Sequence, residues 1–142
     1  KNNSEQKESW QLTYEEGRKV IESMRFTETS SLFGNEKDNS FKSTLGAIYQ
    51  TFDGKDVYPT LEEKAANLLY MLVKNHSFND GNKRIAAALF IYFLERNNLL
   101  FDKNKNPIID NNTLAAMTLM IALSKPEEKE IMCLLVLNML NK

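Results

Sequence analysis

The chain has 142 residues, a formal net charge of −1 and a hydrophobic fraction of 42%. That length suits one domain able to bury about two thirds of the surface its unfolded chain exposes, without disulfide or metal staples. A charge so near zero excludes a broad electrostatic footprint for nucleic acid or an anionic membrane, and the longest unbroken apolar run, Ile85 to Leu94, is shorter than the roughly 20 residues a span needs. No signal-peptide pattern opens the sequence at Lys1, so it reads as cytoplasmic and as a candidate piece of a longer protein. Cys133 is the only cysteine, and Met132, Leu134 and Leu135 around it predict a buried small side chain.

Residues 1–12 read as a flexible lead-in or the end of a linker, the first eight having no hydrophobic period. Residues 13–142 read as one domain. Thr13 with Glu16 fits a capping box, and Val20, Ile21 and Met24 give the helix after it an apolar face, with Gly17 weakening it slightly. Thr27 to Asn39 is rich in Ser, Thr, Asn, Asp and Glu and predicts a loop pinned to the core by Leu32 and Phe33. Phe41, Leu45, Ile48 and Tyr49 then recur at helical spacing, predicting a helix from Ser40 to Thr51. Asp53-Gly54 between Phe52 and Val57-Tyr58 is a hairpin signal, so Phe52 to Pro59 reads as a small, mostly exposed hairpin or lid.

Thr60 with Glu63 forms a second capping box, and apolar positions from Ala65 to Val73 carry a helix to Asn75. Ile85 to Leu94 is apolar on all sides, which predicts the central helix of the domain, ending at Asn97-Asn98. Leu99 to Ile109 is either two very short strands or plain loop. Asp102, Asn104 and Asn106 have the first spacings of a calcium loop, but Pro107 replaces the required glycine and Thr113 the bidentate glutamate, so calcium is set aside. Asn112 is expected to cap a helix over Thr113 to Ser124 with Leu114, Met117, Met120 and Ile121 inward. Ser124 and Glu127 are expected to open a last helix through Leu140. The fold class is all-α, a compact helical bundle with one small β-hairpin.

Between the two most apolar segments lies His76-Ser-Phe-Asn-Asp-Gly-Asn-Lys-Arg84, with the only histidine of the chain. Asp80-Gly81 is a turn, and the helix after it starts near Gly81 or Asn82, which brings backbone amides, Lys83 and Arg84 to one helix N-terminus. Such a terminus suits phosphate, and cations in a first helical turn oppose the dipole unless an anion lies between them. His76 reads either as a cap on helix carbonyls or as a general base, since an imidazole titrates near neutral pH. Phe78 reads as a buried anchor beneath the loop. Asp80 reads either as an N-cap or as a single carboxylate ligand to a magnesium ion that already carries phosphate oxygens. Gly81 lets the backbone turn close to an anion, and Asn82 is a candidate to hydrogen-bond a phosphate oxygen. There is no Gly-x-x-x-x-Gly-Lys-Ser/Thr loop, and one His with one Cys makes neither a zinc site nor a persuasive nucleophile and base pair.

The stretch from His76 to Arg84 resembles the signature of Fic and Doc proteins, H-x-F-x-[DE]-G-N-x-R, at every fixed position. The resemblance is best supported over residues 40–98 and implies a small helical bundle. It also implies transfer of a phosphate-containing group from a nucleotide, usually ATP, to a protein hydroxyl of Ser, Thr or Tyr. By that likeness His76 is the base, Asp80 holds Mg2+, Gly81, Asn82 and Lys83 lie in the anion-binding loop, and Arg84 contacts phosphate. The hairpin Asp53, Gly54, Lys55, Asp56, Val57 and Tyr58 would be a flap that aligns the target by backbone pairing. Lys83 stands where many nucleotidyl-transferring members have glycine, and Ala87 where they have a second arginine. The Asn-Lys-Arg spelling is similar to the Doc branch, in which the terminal phosphate is transferred instead, and both transfers remain open here. Glu16-Gly17 matches the end of the family's [ST]-x-x-x-E-[GN] inhibitory helix, but Leu12 stands at its Ser/Thr position, so no inhibitory helix is expected there. A separate inhibitor or antitoxin protein is a possible partner, and no nucleic acid or membrane is expected. The rival reading is a catalytically silent adaptor of the same fold that binds nucleotide or a peptide.

Overall fold

The computed structural model of the chain describes residues 10–141. These form helices α1 (Tyr14–Met24), α2 (Ser40–Ile48), α3 (Leu61–Asn75), α4 (Asn82–Arg96), α5 (Asn111–Leu123) and α6 (Lys129–Leu140), with short 3-10 turns at Arg25–Thr27 and Pro126–Glu128. Strands β1 (Thr51–Phe52) and β2 (Lys55–Asp56) pair antiparallel between α2 and α3. The domain is all-α apart from this hairpin, as its apolar periodicity requires. Among the described residues no helix is long and apolar enough to cross a membrane.

Trp10 and Leu12, expected in the lead-in over 1–12, pack with the domain. Residues 1–9 lie outside the described residues, but Leu12 is buried in the core, its amide donates to the Tyr49 hydroxyl at 2.7 Å, and Trp10 meets the Tyr92 ring edge-on. Thr13 caps α1 by accepting the Glu16 amide at 3.1 Å. The box is one-sided, because the Glu16 carboxylate instead accepts the Tyr92 hydroxyl of α4 at 2.7 Å. Gly17 is a packing glycine: a Cβ there would stand 2.8 Å from the Phe41 ring of α2.

At the hairpin, Asp53 (φ 55) and Gly54 (φ 79) are both left-handed, as a two-residue turn matched to strand twist demands. α2 stops at Ile48, short of Thr51, because the chain turns there to enter β1. The Thr60 and Glu63 capping box closes in both directions and starts α3.

The helix at the centre is α3, which packs on α2, α4, α5 and α6, whereas α4 meets α1, α3 and α5. The expectation that Ile85 to Leu94 would be central needs this correction. Ile85, Ala86, Leu89, Phe90, Phe93 and Leu94 are buried, but Ala87, Ala88, Ile91 and Tyr92 are only half-buried and line a groove with Val20 and Leu114. α4 ends as expected, with Asn98 left-handed (φ 62).

In the following loop Phe101 bridges Pro107, and the Asp102 carboxylate accepts the amides of Asn104 and Asn106 at 2.9 and 3.0 Å. Asp110, not Asn112, caps α5 by accepting the Thr113 amide at 2.7 Å. Leu114, Met117 and Ile121 face inward as expected, but Met120 is exposed. Ser124 does not cap the last helix; its hydroxyl turns back to the Ile121 carbonyl, and Glu128 accepts the Lys125 amide at 2.7 Å. Lys74 of α3 donates to the Ser124 carbonyl at 2.6 Å, a cation at the negative end of α5. Cys133 is half-buried, with its thiol 3.7 Å from Asn67 Oδ1, and burial pushes that thiol up.

Candidate active site

α3 ends at His76, whose left-handed backbone (φ 48) turns the chain out of the helix and leaves the imidazole exposed. Asn75 before it donates to Thr44 of α2 at 2.9 Å, and the buried Ser77 after it shares a 2.6 Å hydrogen bond with Ser40 at the start of α2. The exit from α3 is therefore tied on both sides of His76. Phe78 is buried, its ring tilted on Phe41 at 5.3 Å, which anchors the loop from beneath.

Asn82 does not offer its carboxamide to an anion. Its Oδ1 accepts the Phe78 amide at 3.0 Å and its Nδ2 donates to the Phe78 carbonyl at 2.8 Å. Both ends of the amide latch the loop 78–81 onto the first turn of α4, so any anion contact from Asn82 comes from its backbone. Gly81 at the N-cap has φ 90, and a Cβ there would stand 2.3 Å from the Phe33 ring. Glycine is needed for both reasons. Where Thr13, Thr60 and Asp110 cap α1, α3 and α5, no side chain caps α4. Its N-terminal amides have Lys83 and Arg84 exposed beside them in the first turn, an arrangement suited to an anion.

Arg84 approaches Glu28 at 3.1 Å and Asp80 at 3.9 Å, with its guanidinium 5.2 Å over the Phe33 ring. The Asp80 carboxylate is 41% exposed, and among the described residues no cluster of three metal-ligating side chains exists. That donor set fits a magnesium ion arriving with its phosphates, which needs only one or two protein carboxylates, and does not fit a resident all-protein metal site.

A strap over residues 28–37 lines one side of this loop, and its contribution was not legible beforehand. Gly34 donates to the Asp80 carbonyl at 3.0 Å, Asn79 to the Asn35 carbonyl at 2.8 Å, and Lys37 to the Ser77 carbonyl at 2.9 Å. Phe33 is buried as expected, while Leu32, expected to pin the loop with it, is exposed. α1 and the 3-10 turn after it hold the strap in turn. Tyr14 donates to Glu36, Arg18 reaches the Gly34 carbonyl at 2.8 Å and Glu36 at 3.4 Å, and Arg25 reaches Asn35 Oδ1 at 2.5 Å. The hydrogen bond to Glu36 is the main reason the Tyr14 hydroxyl is pushed up from its ordinary value. The signals available were Phe33-Gly34-Asn35, an aromatic before a turn, and two arginines seven residues apart, Arg18 in α1 and Arg25 just after it.

The hairpin is elsewhere. Asp56 pairs at 3.0 Å with Lys64 in the opening turns of α3, and Lys64 also donates to the Tyr58 carbonyl. From Lys64 to His76 the helical rise is about 18 Å. The structure brings His76, Asp80, Gly81, Lys83 and Arg84 to one loop, and sets Asp53 to Tyr58 at the opposite end of α3.

An imidazole, a carboxylate and a helix N-terminus without a side-chain cap, with Lys83 and Arg84 in its first turn, lie together on one short loop of an all-α domain. The family model described as the Fic/DOC family matches residues 11–94, more than half of the chain, and the chain belongs to that family. It is also similar to a protein named Toxin Doc from Mycolicibacterium smegmatis (strain ATCC 700084 / mc(2)155), 51% identical over 47 residues, which are 33% of this chain and 36% of that protein. The alignment thus spans about a third of that relative. No solved structure gives a match.

Proposed function

We propose that this chain transfers a phosphate-containing group from magnesium-bound ATP to a side-chain hydroxyl of a target protein. The observation that carries the reading is the uncapped N-terminus of α4, with Lys83 and Arg84 in its first turn and an exposed His76 across the same loop. The amides, Lys83 and Arg84 hold the phosphates, and the anion must compete with Glu28 for Arg84. His76 accepts the proton of the attacking hydroxyl from the target's Ser, Thr or Tyr, and that oxygen bonds to the transferred phosphorus as its bond to the leaving ADP, or to pyrophosphate in AMP transfer, breaks. Asp80 would hold Mg2+, which supplies neutralisation of phosphate charge when bound. Alignment and electrostatics do the rest, because the transfer asks for little covalent chemistry from the protein.

Of the two transfers, the likeness to a protein named Toxin Doc, with Lys83 and Ala87 in the sequence, favours the terminal phosphate over AMP. The same name supports a separate inhibitor or antitoxin protein as partner. The test is a pair of incubations with lysate, one with ATP labelled on the α-phosphate and one on the γ-phosphate. Label from γ alone supports phosphoryl transfer, and label from α alone replaces it with AMP transfer. His76→Ala should lower labelling by about 10²–10⁴-fold. If wild type labels nothing above that variant, the transferase reading fails and the silent adaptor takes its place.

A further inference from the structure

We infer that Arg18 of α1, distant from the loop in sequence, is a positioning residue for Asp80, an inference that rests on the reading of Asp80 as the magnesium-holding carboxylate. Gly34 is the bridge. Its carbonyl accepts Arg18 Nη1 at 2.8 Å, and its amide donates to the Asp80 carbonyl at 3.0 Å. One residue of the strap thus joins α1 to the backbone of the metal-holding position.

The neighbouring residue repeats the pattern. The Asn35 side chain accepts Arg25 at 2.5 Å and its carbonyl accepts the Asn79 amide at 2.8 Å. Two successive strap residues therefore carry two successive loop residues, each from an arginine of the α1 segment. Phe33 sets how deep the strap sits, because its ring is buried between Gly81 and Arg84. An apolar ring fixes depth but not register along the strand, and directional hydrogen bonds from Arg18 and Arg25 do.

Close approach is built in. Gly34 has φ 73, and a Cβ there would stand 2.5 Å from Ile21 of α1, so only glycine lets the strap lie this near the helix. Arg18 serves three acceptors together, the Gly34 carbonyl, Glu36 at 3.4 Å and Glu22 at 2.5 Å. A guanidinium fork can do this and a lysine ammonium on a flexible stem does so poorly. Arg18 touches the strap and its own helix, so its work is directed at the strap. Groups hydrogen-bonded directly to a metal ligand typically shift metal affinity about 10- to 100-fold when removed, and Arg18, one hydrogen bond further out through Gly34, should act at the low end of that range.

The experiment compares wild type, Arg18→Gln, Arg18→Lys and a control, Arg96→Gln, which loses an equal charge from a cation packed on Trp10 and Tyr92 of the same domain. Two readouts are taken. The first is amide exchange of Gly34 and Asn79 by NMR in the ligand-free chain. Arg18→Gln should exchange both about tenfold faster, Arg18→Lys should fall between, and Arg96→Gln should match wild type. The second is ATP binding as Mg2+ is titrated. Arg18→Gln should need about tenfold more Mg2+ for half-maximal binding, with affinity for metal-free ATP unchanged. Unchanged exchange at Gly34 and Asn79 overturns the inference. So does faster exchange with an unshifted Mg2+ dependence, which would make Arg18 a purely structural clamp. Failure of wild type itself to bind ATP would instead remove the nucleotide reading, while the exchange data still decide whether Arg18 holds the Asp80 backbone.

Discussion

The two ends of α3 are finished in opposite ways. At its start everything needed is within a few residues: Thr60 and Glu63 close a reciprocal box, Asp53-Gly54 turns the hairpin, and Lys64 fastens Asp56 and Tyr58 from inside. At its end His76 enters a loop that cannot hold itself. That loop is pinned by Thr44 and Ser40 of α2, by the strap residues Phe33 to Lys37, and by Asn82 of the next helix. The self-contained end carries no chemistry of the family signature, and the end held from a distance carries all of it. Reactive groups left exposed on a loop need outside support to keep their geometry.

Gly81→Ala should expose that dependence most strongly. The φ of 90 is strained for alanine, and the new Cβ would collide with Phe33 at 2.3 Å. Strain and overpacking together should cost about 3 kcal/mol in urea denaturation. Phe33→Leu in the same chain should restore part of it, since the smaller side chain makes room, and a double-mutant cycle would measure the coupling. Simple additivity would mean that Phe33 does not support the loop.

Lys64→Ala addresses the other end. Lys64 is fully buried while its partner Asp56 is 32% exposed, so the loss should be about 2 kcal/mol, below that of a fully buried pair because Asp56 can rehydrate. Hairpin amides should exchange faster while ATP binding stays within about twofold of wild type. A tenfold loss of protein labelling in a variant that remains folded would instead bring the hairpin into target alignment, as the family likeness suggested, despite its distance from His76.

This contrast also explains what could be read in advance. The Thr60 cap, the Asp53-Gly54 turn, the Asn98 terminus and the span of α3 depend on neighbours a few residues away, so spacing alone gave them. The motif residues were legible as a string, and the roles proposed for them came from residue type together with the family resemblance. Their supports were not. Nothing local in Phe33-Gly34-Asn35 says that it pairs with residues 77–80, and nothing local in Asn82 says that its amide faces Phe78 and not solvent. The reading of Ile85 to Leu94 as central failed for a related reason. Alanines at 87 and 88 count as apolar in a pattern, but they are small enough to floor an open groove.

Thr60→Ala should cost about 1 kcal/mol, the usual worth of a side-chain cap, and Thr60→Ser should keep most of it because the hydroxyl that accepts the Glu63 amide remains. An effect near zero would show that packing of α3 holds its start without the box.

The smallest effect at neutral pH is expected from Tyr49→Phe, at the residue that closes α2 just before the hairpin. It removes the hydroxyl that accepts the Leu12 amide, about 1 kcal/mol. Its larger signature lies at alkaline pH. Burial disfavours the phenolate and pushes this hydroxyl from 10.0 up to about 12, outweighing the opposite pull of the Leu12 amide. Between those values the unfolded chain sheds a proton that the folded chain keeps, so each step up in pH favours unfolding. Stability from this group is thus fully present below its ordinary 10.0 and is lost as pH rises through about 12. The two proteins differ only in this hydroxyl, so the difference between their curves isolates it. Urea denaturation followed from pH 9 to 12 should fall more steeply for wild type than for Tyr49→Phe, by up to one proton's worth, about 1.4 kcal/mol per pH unit. Parallel curves would mean that the Tyr49 hydroxyl reaches solvent in the folded chain. The tie between Leu12 and α2 would then be too loose to fix where the packed domain begins.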